Sequence, residues 1–369
     1  MRINPFQAVL PELELITSAD SFFDTVKEEY PDYFKSGFFN KNAQEALYVY
    51  QIRTLGRAYT GLIACTAIQD YLEGHIRKHE QTLAAKEQKQ VQLLLGRRAT
   101  VKPILLTYPA QASINAWTAQ YIEGKAPFMR FLFDNDQQEH LLWEVAEGAD
   151  IQHLQQLFAK AVPHTYIADG HHRTSTTALM FERKQEKVNE AAFDQLLCAL
   201  FPSTDIEIHD FNRIVDGLNE LPVSVFMAKL SRLFDIKLLK NGRKPSKKFH
   251  IHMYLQKNWF RLKWRSEVLK RYQKKAVVLD TQLLDELVLK KIIGIKNVRN
   301  DSRIQYVEGP KGTVGIERKV NKSNTQVGFC LPPVSLEELI ELADEGKALP
   351  PKSTWFEPRM KNGLVVKDY

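Results

Sequence analysis

Cysteine is scarce in this chain. Cys65, Cys198 and Cys330 lie far apart, each in an apolar stretch. That excludes a disulfide framework. With no CxxC pair, it also leaves nothing for a cysteine-based zinc site, so buried free thiols in a reducing, cytoplasmic setting are expected. No apolar run approaches the ~20 residues that a membrane helix needs. The opening MRINPFQAVLPELEL has no long apolar core of the secretory kind. Internal repeats and low-complexity tracts are missing too, and no helix-turn-helix, zinc-finger or RNP pattern appears.

The 369 residues that remain to be explained are too many for one ordinary core, so two domains are expected. Hydrophobic residues make up 44% and charged residues 26%, a soluble globular balance that argues against disorder. Net charge is +7, with much of the excess between Lys237 and Arg299. A basic surface attracts nucleotides and phosphorylated metabolites as readily as nucleic acid, and a merely solvated basic face is the simplest reading.

Periodicity places the elements. Residues 17–40 read as an aromatic-rich helix that Ser18 or Asp20 would cap. Leu47 to Thr54 and Ala58 to Ile68 read as a hairpin turning at Leu55-Gly56-Arg57. Thr82 to Leu95 is predicted as a long helix, KPILLTYP as a strand and ASINAWTAQYIEG as a helix. FMRFLFDNDQQEHLLWEVA is predicted as a hairpin turning at residues 134–136. Ile151, Leu154, Leu157, Phe158 and Val162 fall on one face of an amphipathic helix. FDQLLCALFP reads only as a largely buried segment. Further on come a hairpin turning at Lys257-Asn258 and a helix LLDELVLKKIIG stopped by Gly294. A last helix has a capping box at Ser335 and Glu338 and a stop at Gly346. Strands and helices alternate without a regular βαβ period, so the fold class is α+β, with mixed sheets, hairpins and packed helices. The expected domains are 1–205 and 206–369, the boundary falling in the polar, turn-rich stretch 202–222. The tail 350–366 is left able to return to the site.

The densest chemistry lies in YIADGHHRTSTTALMFE, Tyr166 to Glu182. A strand runs into Asp-Gly, and a helix starts near His172 to Ser175. Gly170 permits a tight turn or positive φ. The following backbone N–H groups are orphan donors at the positive end of a helix dipole, an anion site before any side chain is counted. His171, His172 and Arg173 add donors and charge, and Arg173 suits phosphate oxygens bidentately. Thr174, Ser175, Thr176 and Thr177 add hydroxyls. Asp169 has two readings, holding a histidine tautomer or binding Mg²⁺ beside a phosphate. Adjacent histidines do not aim at one ion as i, i+4 pairs do, so a protein-only metal site is disfavoured against a phosphate cradle. An inert polar turn stays open.

Two further stretches carry polar clusters. GHIRKHEQT, Gly74 to Thr82, sets His79 beside Glu80, a pair suited to acid–base work; equally, Glu80 would only cap the next helix. PPKSTWFEPRMKNGLVV, Pro350 to Val366, offers Lys352, Ser353 and Thr354 as donors on a rigid loop, or else a packed tail. His250 and His252 share one face of a strand and lack a third ligand.

Together, IADGHHRTSTTAL, GHIRKHEQT, KKIIGIKNVRNDSRIQYVEG and PPKSTWFEPRMKNGLVV, in this order, resemble the domain of unknown function 1015 family over nearly the whole chain from Tyr48. The resemblance implies phosphorylation of free serine by a nucleotide, ATP or ADP, with Mg²⁺. It also implies a phosphate loop of the ParB/sulfiredoxin-like kind. Carried over residue by residue, Asp169, Gly170, His171, His172 and Arg173 would hold phosphates, with Thr174 and Ser175 beside them. His79 and Glu80 would flank the acceptor, with Glu80 as general base and His172 joining the catalytic set. Lys352, Ser353 and Thr354 would close the site. The implied partner is a small molecule, serine or phosphoserine; no membrane is implied, and a homo-oligomer stays open.

The chain departs from the family pattern in two places. SADSFFDTV stands where a Pro-Tyr-Asp-Val stretch is usual, and Lys89, Gln90 and Leu93 stand where Asp, Arg and His are usual. A nucleotide- or phosphate-binding paralogue with weakened catalysis is therefore the first alternative. A ParB-like nucleotide switch is the second, although the helical module for DNA is lacking.

Overall fold

The computed structural model describes residues 1–80, 84–185, 193–218, 220–272, 277–323 and 325–369. Two compact units emerge: Met1–Glu207 together with Pro358–Tyr369, and Ile208–Glu357. The architecture is mixed α/β, with several sheets and packed helices.

The first unit is built on one eight-stranded mixed sheet. Its strands are β1 (Leu47–Arg53), β2 (Ala58–Ala67), β3 (Ile76–Arg77), β4 (Ile104–Tyr108), β5 (Met129–Phe133), β6 (Gln138–Val145), β7 (Thr165–Asp169) and β8 (Gln195–Pro202). The spatial order is β3-β7-β4-β8-β2-β1-β6-β5. Both predicted hairpins are present, β1 with β2 and β5 with β6. β8 is the segment whose type the sequence left open. It lies mid-sheet, parallel to β4 and antiparallel to β2, and is buried from Leu196 to Pro202. A strand covered on both faces loses the apolar–polar alternation that would announce it. Its neighbour β2 needs a glycine: a Cβ on Gly61 would stand 2.6 Å from the Leu200 carbonyl oxygen and 2.8 Å from the Phe201 ring.

Among the described residues, six helices accompany this sheet: α1 (Ala19–Lys35), α2 (Ile68–Leu72), α3 (Ala84–Arg97), α4 (Ala112–Ile122), α5 (Gly148–Ala161) and α6 (His171–Gln185). Ser18 caps α1, its hydroxyl accepting from the Ser21 N–H. The predicted stripe of α5 faces the core: Leu154, Phe158 and Val162 are buried, with Ile151 and Leu157 packed against them. Each large side chain fully buried in this way contributes about 1.5–3 kcal/mol. The start predicted for α3, Thr82 and Leu83, falls outside the described residues.

The second unit holds a six-stranded antiparallel sheet of β9 (Phe211–Asp216), β10 (Phe234–Leu239), β11 (His250–Leu255), β12 (Asn258–Trp264), β13 (Ile304–Glu308) and β14 (Gln326–Cys330). Its order is β10-β12-β11-β14-β9-β13. The β11–β12 hairpin turns at Gln256 and Lys257, one residue earlier than predicted. Both have positive φ, 47° and 60°, as a two-residue turn matching the strand twist requires. Around the sheet pack α7 (Val223–Ser231), α8 (Gly312–Val320) and α9 (Leu336–Asp344). The capping box of α9 is complete, with Ser335 and Glu338 bonded reciprocally. LLDELVLKKIIG departs from expectation: a short α-turn, Asp280–Leu283, passes into a π-helix, Leu284–Lys290. The Ile293 N–H, for instance, bonds to the Val288 carbonyl five residues back.

The expected second domain ran to residue 369, but the final stretch belongs with the first unit. Gly363 donates to the Val101 carbonyl and Val366 to that of Val9, and Lys367–Asp368 pairs with Ala99–Thr100. These main-chain bonds, with Leu364, Val365 and Val366 buried, fix the tail there.

Candidate functional site

Two of the sequence clusters meet in the first unit because of one strand pairing. β3 lies parallel to β7, Thr165 opposite Ile76 and Tyr166 opposite Arg77, and the Thr165 N–H donates to the His75 carbonyl. Parallel strands end at the same edge of a sheet, so residues 78–80 and 169–173 leave it together. The rings of His79 and His171 make an edge-to-face contact with centroids 4.5 Å apart. His171 Nδ1 lies 3.8 Å from a Glu80 carboxylate oxygen. Both histidines are buried, whereas the Glu80 side chain is 40% exposed.

Burial sets the charge state here. It pushes the His171 imidazole down to about 4; Asp169 opposes this, while His172, Arg173 and Lys78 add to it. Burial, and then His171, hold His79 well below the ordinary histidine range. Both rings are therefore neutral near pH 7. His171 Nε2 is buried with no hydrogen-bond partner among the described residues.

The turn itself is built on Gly170. Its φ is +109°, and a Cβ there would meet an Arg173 terminal nitrogen at 2.8 Å. Helix α6 starts at His171, and its first main-chain bond runs from the Thr174 N–H to the Gly170 carbonyl. The N–H groups of His171, His172 and Arg173 precede that bond and are the donors an anion would meet. The hydroxyls are used otherwise than expected. Thr174 is fully buried and donates to Gly170 O, Ser175 donates to His172 O, and Thr177 to Arg173 O. Thr174 and Ser175 thus spend their hydrogens on the helix, securing the turn rather than offering them to a phosphate.

Arg173 is also committed. Its Nη2 donates to Asp169 Oδ2 at 2.9 Å and to the Pro103 carbonyl at 3.3 Å, so the expected open fork toward a phosphate is folded back. Arg359 stands 3.7 Å from Asp169 Oδ1. Burial would raise the Asp169 pKa, but Arg173, Lys102 and Arg359 outweigh it and hold the carboxyl well below its usual range. These surroundings do not fit the Mg²⁺ role considered for Asp169: both oxygens face guanidinium groups, and Lys102 adds a third positive charge. Among the described residues no group of three or more His, Cys, Asp or Glu is placed to hold a metal ion.

Lys102 and Arg359 are residues that sequence reasoning missed at this site. Lys102 precedes β4, and the antiparallel pairing of β4 with β7 brings its start beside Asp169. Arg359 did lie inside a quoted motif, WFEPRMK, where it read as part of a packed tail.

Lys352, Ser353 and Thr354 belong to the second unit. Lys352 has φ +55°, and its Nζ stands 5.0 Å from the Phe211 ring centre. Ser353 is buried and donates to the Pro350 carbonyl at 2.7 Å and to Thr281 Oγ1 at 3.4 Å. It pins the loop and is not an open ligand. Beneath it, fully buried Arg213 pairs with Asp285 at 3.0 Å and donates to the carbonyls of Pro351 and Lys352. His252 is likewise occupied, with Nδ1 2.7 Å from the Arg243 carbonyl.

The chain is thus a mixed α/β protein with a strand–turn–helix junction where two buried histidines and a carboxylate meet. It belongs to the family described as "Protein of unknown function (DUF1015)", whose model matches residues 4–285. No curated protein matches it. Among solved structures it is similar to C-terminally truncated SbnI from Staphylococcus aureus, at 13% identity over 81% of this chain and 85% of that one, TM-score 0.42. It is also similar to a free serine kinase mutant in complex with ADP, at 13% identity over 82% and 92%, TM-score 0.39. A conserved hypothetical protein from Pyrococcus furiosus matches at 13% identity over 83% and 94%, TM-score 0.39.

Proposed function

We propose that this protein binds a nucleotide by its phosphates at the turn 169–172 and moves a phosphoryl group between that nucleotide and the hydroxyl of free serine. The observation that supports it is the meeting of Glu80 and His171 at the first turn of α6. Main-chain N–H groups there would hold phosphate oxygens without reorganising. Glu80, partly exposed, accepts the proton as the serine oxygen attacks the terminal phosphorus and the bond to the bridging oxygen breaks. Neutral His171, 3.8 Å from that carboxylate, would help to hold it in place.

The second reading is a nucleotide binder without efficient turnover. The commitment of Arg173 to Asp169 favours it, because the strongest side-chain donor of the loop is then withheld from the transition state. One assay separates the two. The protein is incubated with Mg²⁺, labelled ATP and serine, and phosphoserine is sought. The first reading expects phosphoserine that is lost in Glu80→Gln while ADP still binds. ADP binding with no phosphoserine from the unaltered chain supports the second. Failure to bind either nucleotide defeats both.

A further inference from the structure

Helix α6 presents two different faces. His171 turns toward Glu80. Arg173, Thr176 and Thr177, at positions i, i+3 and i+4, share a face roughly half a turn away. That second face lines a small, partly open cavity. Helix α3 supplies the facing wall through Gln90, Leu94 and Arg97, and Lys27 and Lys102 are among the other residues that line it. Four cationic side chains therefore line this cavity, and no carboxylate does.

Several of its donors lack partners. Lys102 has neither a hydrogen bond nor an ion pair among the described residues. Arg173 spends Nη2 on Asp169 and Pro103, but its Nε is buried without a partner. Thr176 is 1% exposed, and its hydroxyl too is buried with no hydrogen-bond partner among the described residues. Leaving such donors unmet is costly, and crowding like charges around them adds to the cost. An anion would answer both at once.

We propose that this cavity is an oxyanion site, which takes the phosphate or carboxylate end of a small metabolite separately from the nucleotide phosphates at 169–172. Burial lowers the Lys102 ammonium to about 8, with Arg173, Arg359 and Lys361 adding to this and Asp169 opposing it, so the side chain is still charged at neutral pH. The site goes beyond the nucleotide reading and does not require it.

The test is isothermal titration of the full chain with inorganic phosphate and, separately, with acetate. Wild type is compared with Thr176→Val and Lys102→Met. Thr176→Val is nearly isosteric and removes an unmet hydroxyl, so the fold is kept. At least one oxyanion should bind wild type, about 10-fold more weakly in Thr176→Val and not at all in Lys102→Met, with ADP affinity unchanged in Thr176→Val. Which probe binds distinguishes a phosphate ligand from a carboxylate. Binding of neither probe to wild type, or equal binding by wild type and both variants, overturns the proposal. ADP affinity that falls together with oxyanion affinity in Thr176→Val also overturns it, because the cavity would then belong to the nucleotide site. Oxyanion binding as expected in a protein that never binds ADP sinks the nucleotide reading and leaves this one standing.

Discussion

Replacing His171 by asparagine should flatten the dependence of stability on acidity. In the folded chain the imidazole titrates near 4, chiefly because it is buried; unfolded, it returns to about 6.5. As pH falls, the unfolded chain takes up the proton first. Stability from the neutral ring is thus fully present above about pH 6.5 and is lost progressively down to about pH 4. That gap, at ~1.36 kcal/mol per pH unit, is worth about 3 kcal/mol. Asparagine cannot take up that proton in either state. The assay is urea unfolding of wild type and His171→Asn between pH 7 and pH 4, followed by circular dichroism on the transition of the first unit. Between those limits the variant should lose about 3 kcal/mol less than wild type, whatever its stability at pH 7. His79 is depressed chiefly by burial and only secondarily by His171, so His79→Asn serves as the control for coupling between the rings. Parallel curves for wild type and His171→Asn would refute the buried, neutral His171 on which the site rests.

Three other outcomes follow from the packing. Gly170→Ala forces a side chain into positive φ against Arg173; thermal melts should show a loss of about 1–3 kcal/mol, with weaker ADP binding. Arg213→Met leaves Asp285 buried and alone, and should cost about 3–5 kcal/mol in urea midpoints of the second unit, most of it recovered in Arg213→Met with Asp285→Leu. Ser335→Ala opens the capping box of α9 and should cost about 1 kcal/mol by thermal melting.

Elements with strong local signals were legible in the sequence. The apolar stripe of α5 needs only 3.6-residue spacing, and the Ser335–Glu338 box needs only two side chains one turn apart. The strand Thr165–Asp169 followed by a glycine and a helix was read in the right place, with the helix beginning a residue sooner. What failed was whatever depends on distant partners. Nothing within GHIRKHE says that its two residues Ile76 and Arg77 pair parallel with Thr165 and Tyr166, yet that pairing brings Glu80 to His171. The cation group around Asp169 draws on Lys102 and Arg359, which lie far from it in sequence. The π-helix Leu284–Lys290 is invisible to periodicity, because its register settles as Leu287, Val288 and Leu289 bury themselves in the core. Thr174 and Ser175 read as ligands because hydroxyls near a helix start serve either an anion or the helix's own carbonyls, and only geometry decides between them.

The most direct test of the account is a crystal structure of the full chain grown with ADP. The terminal phosphate is expected on the main-chain N–H groups of His171 and His172, with the Glu80 carboxylate facing the space beyond it. A nucleotide seated elsewhere, with residues 169–172 untouched, would contradict it.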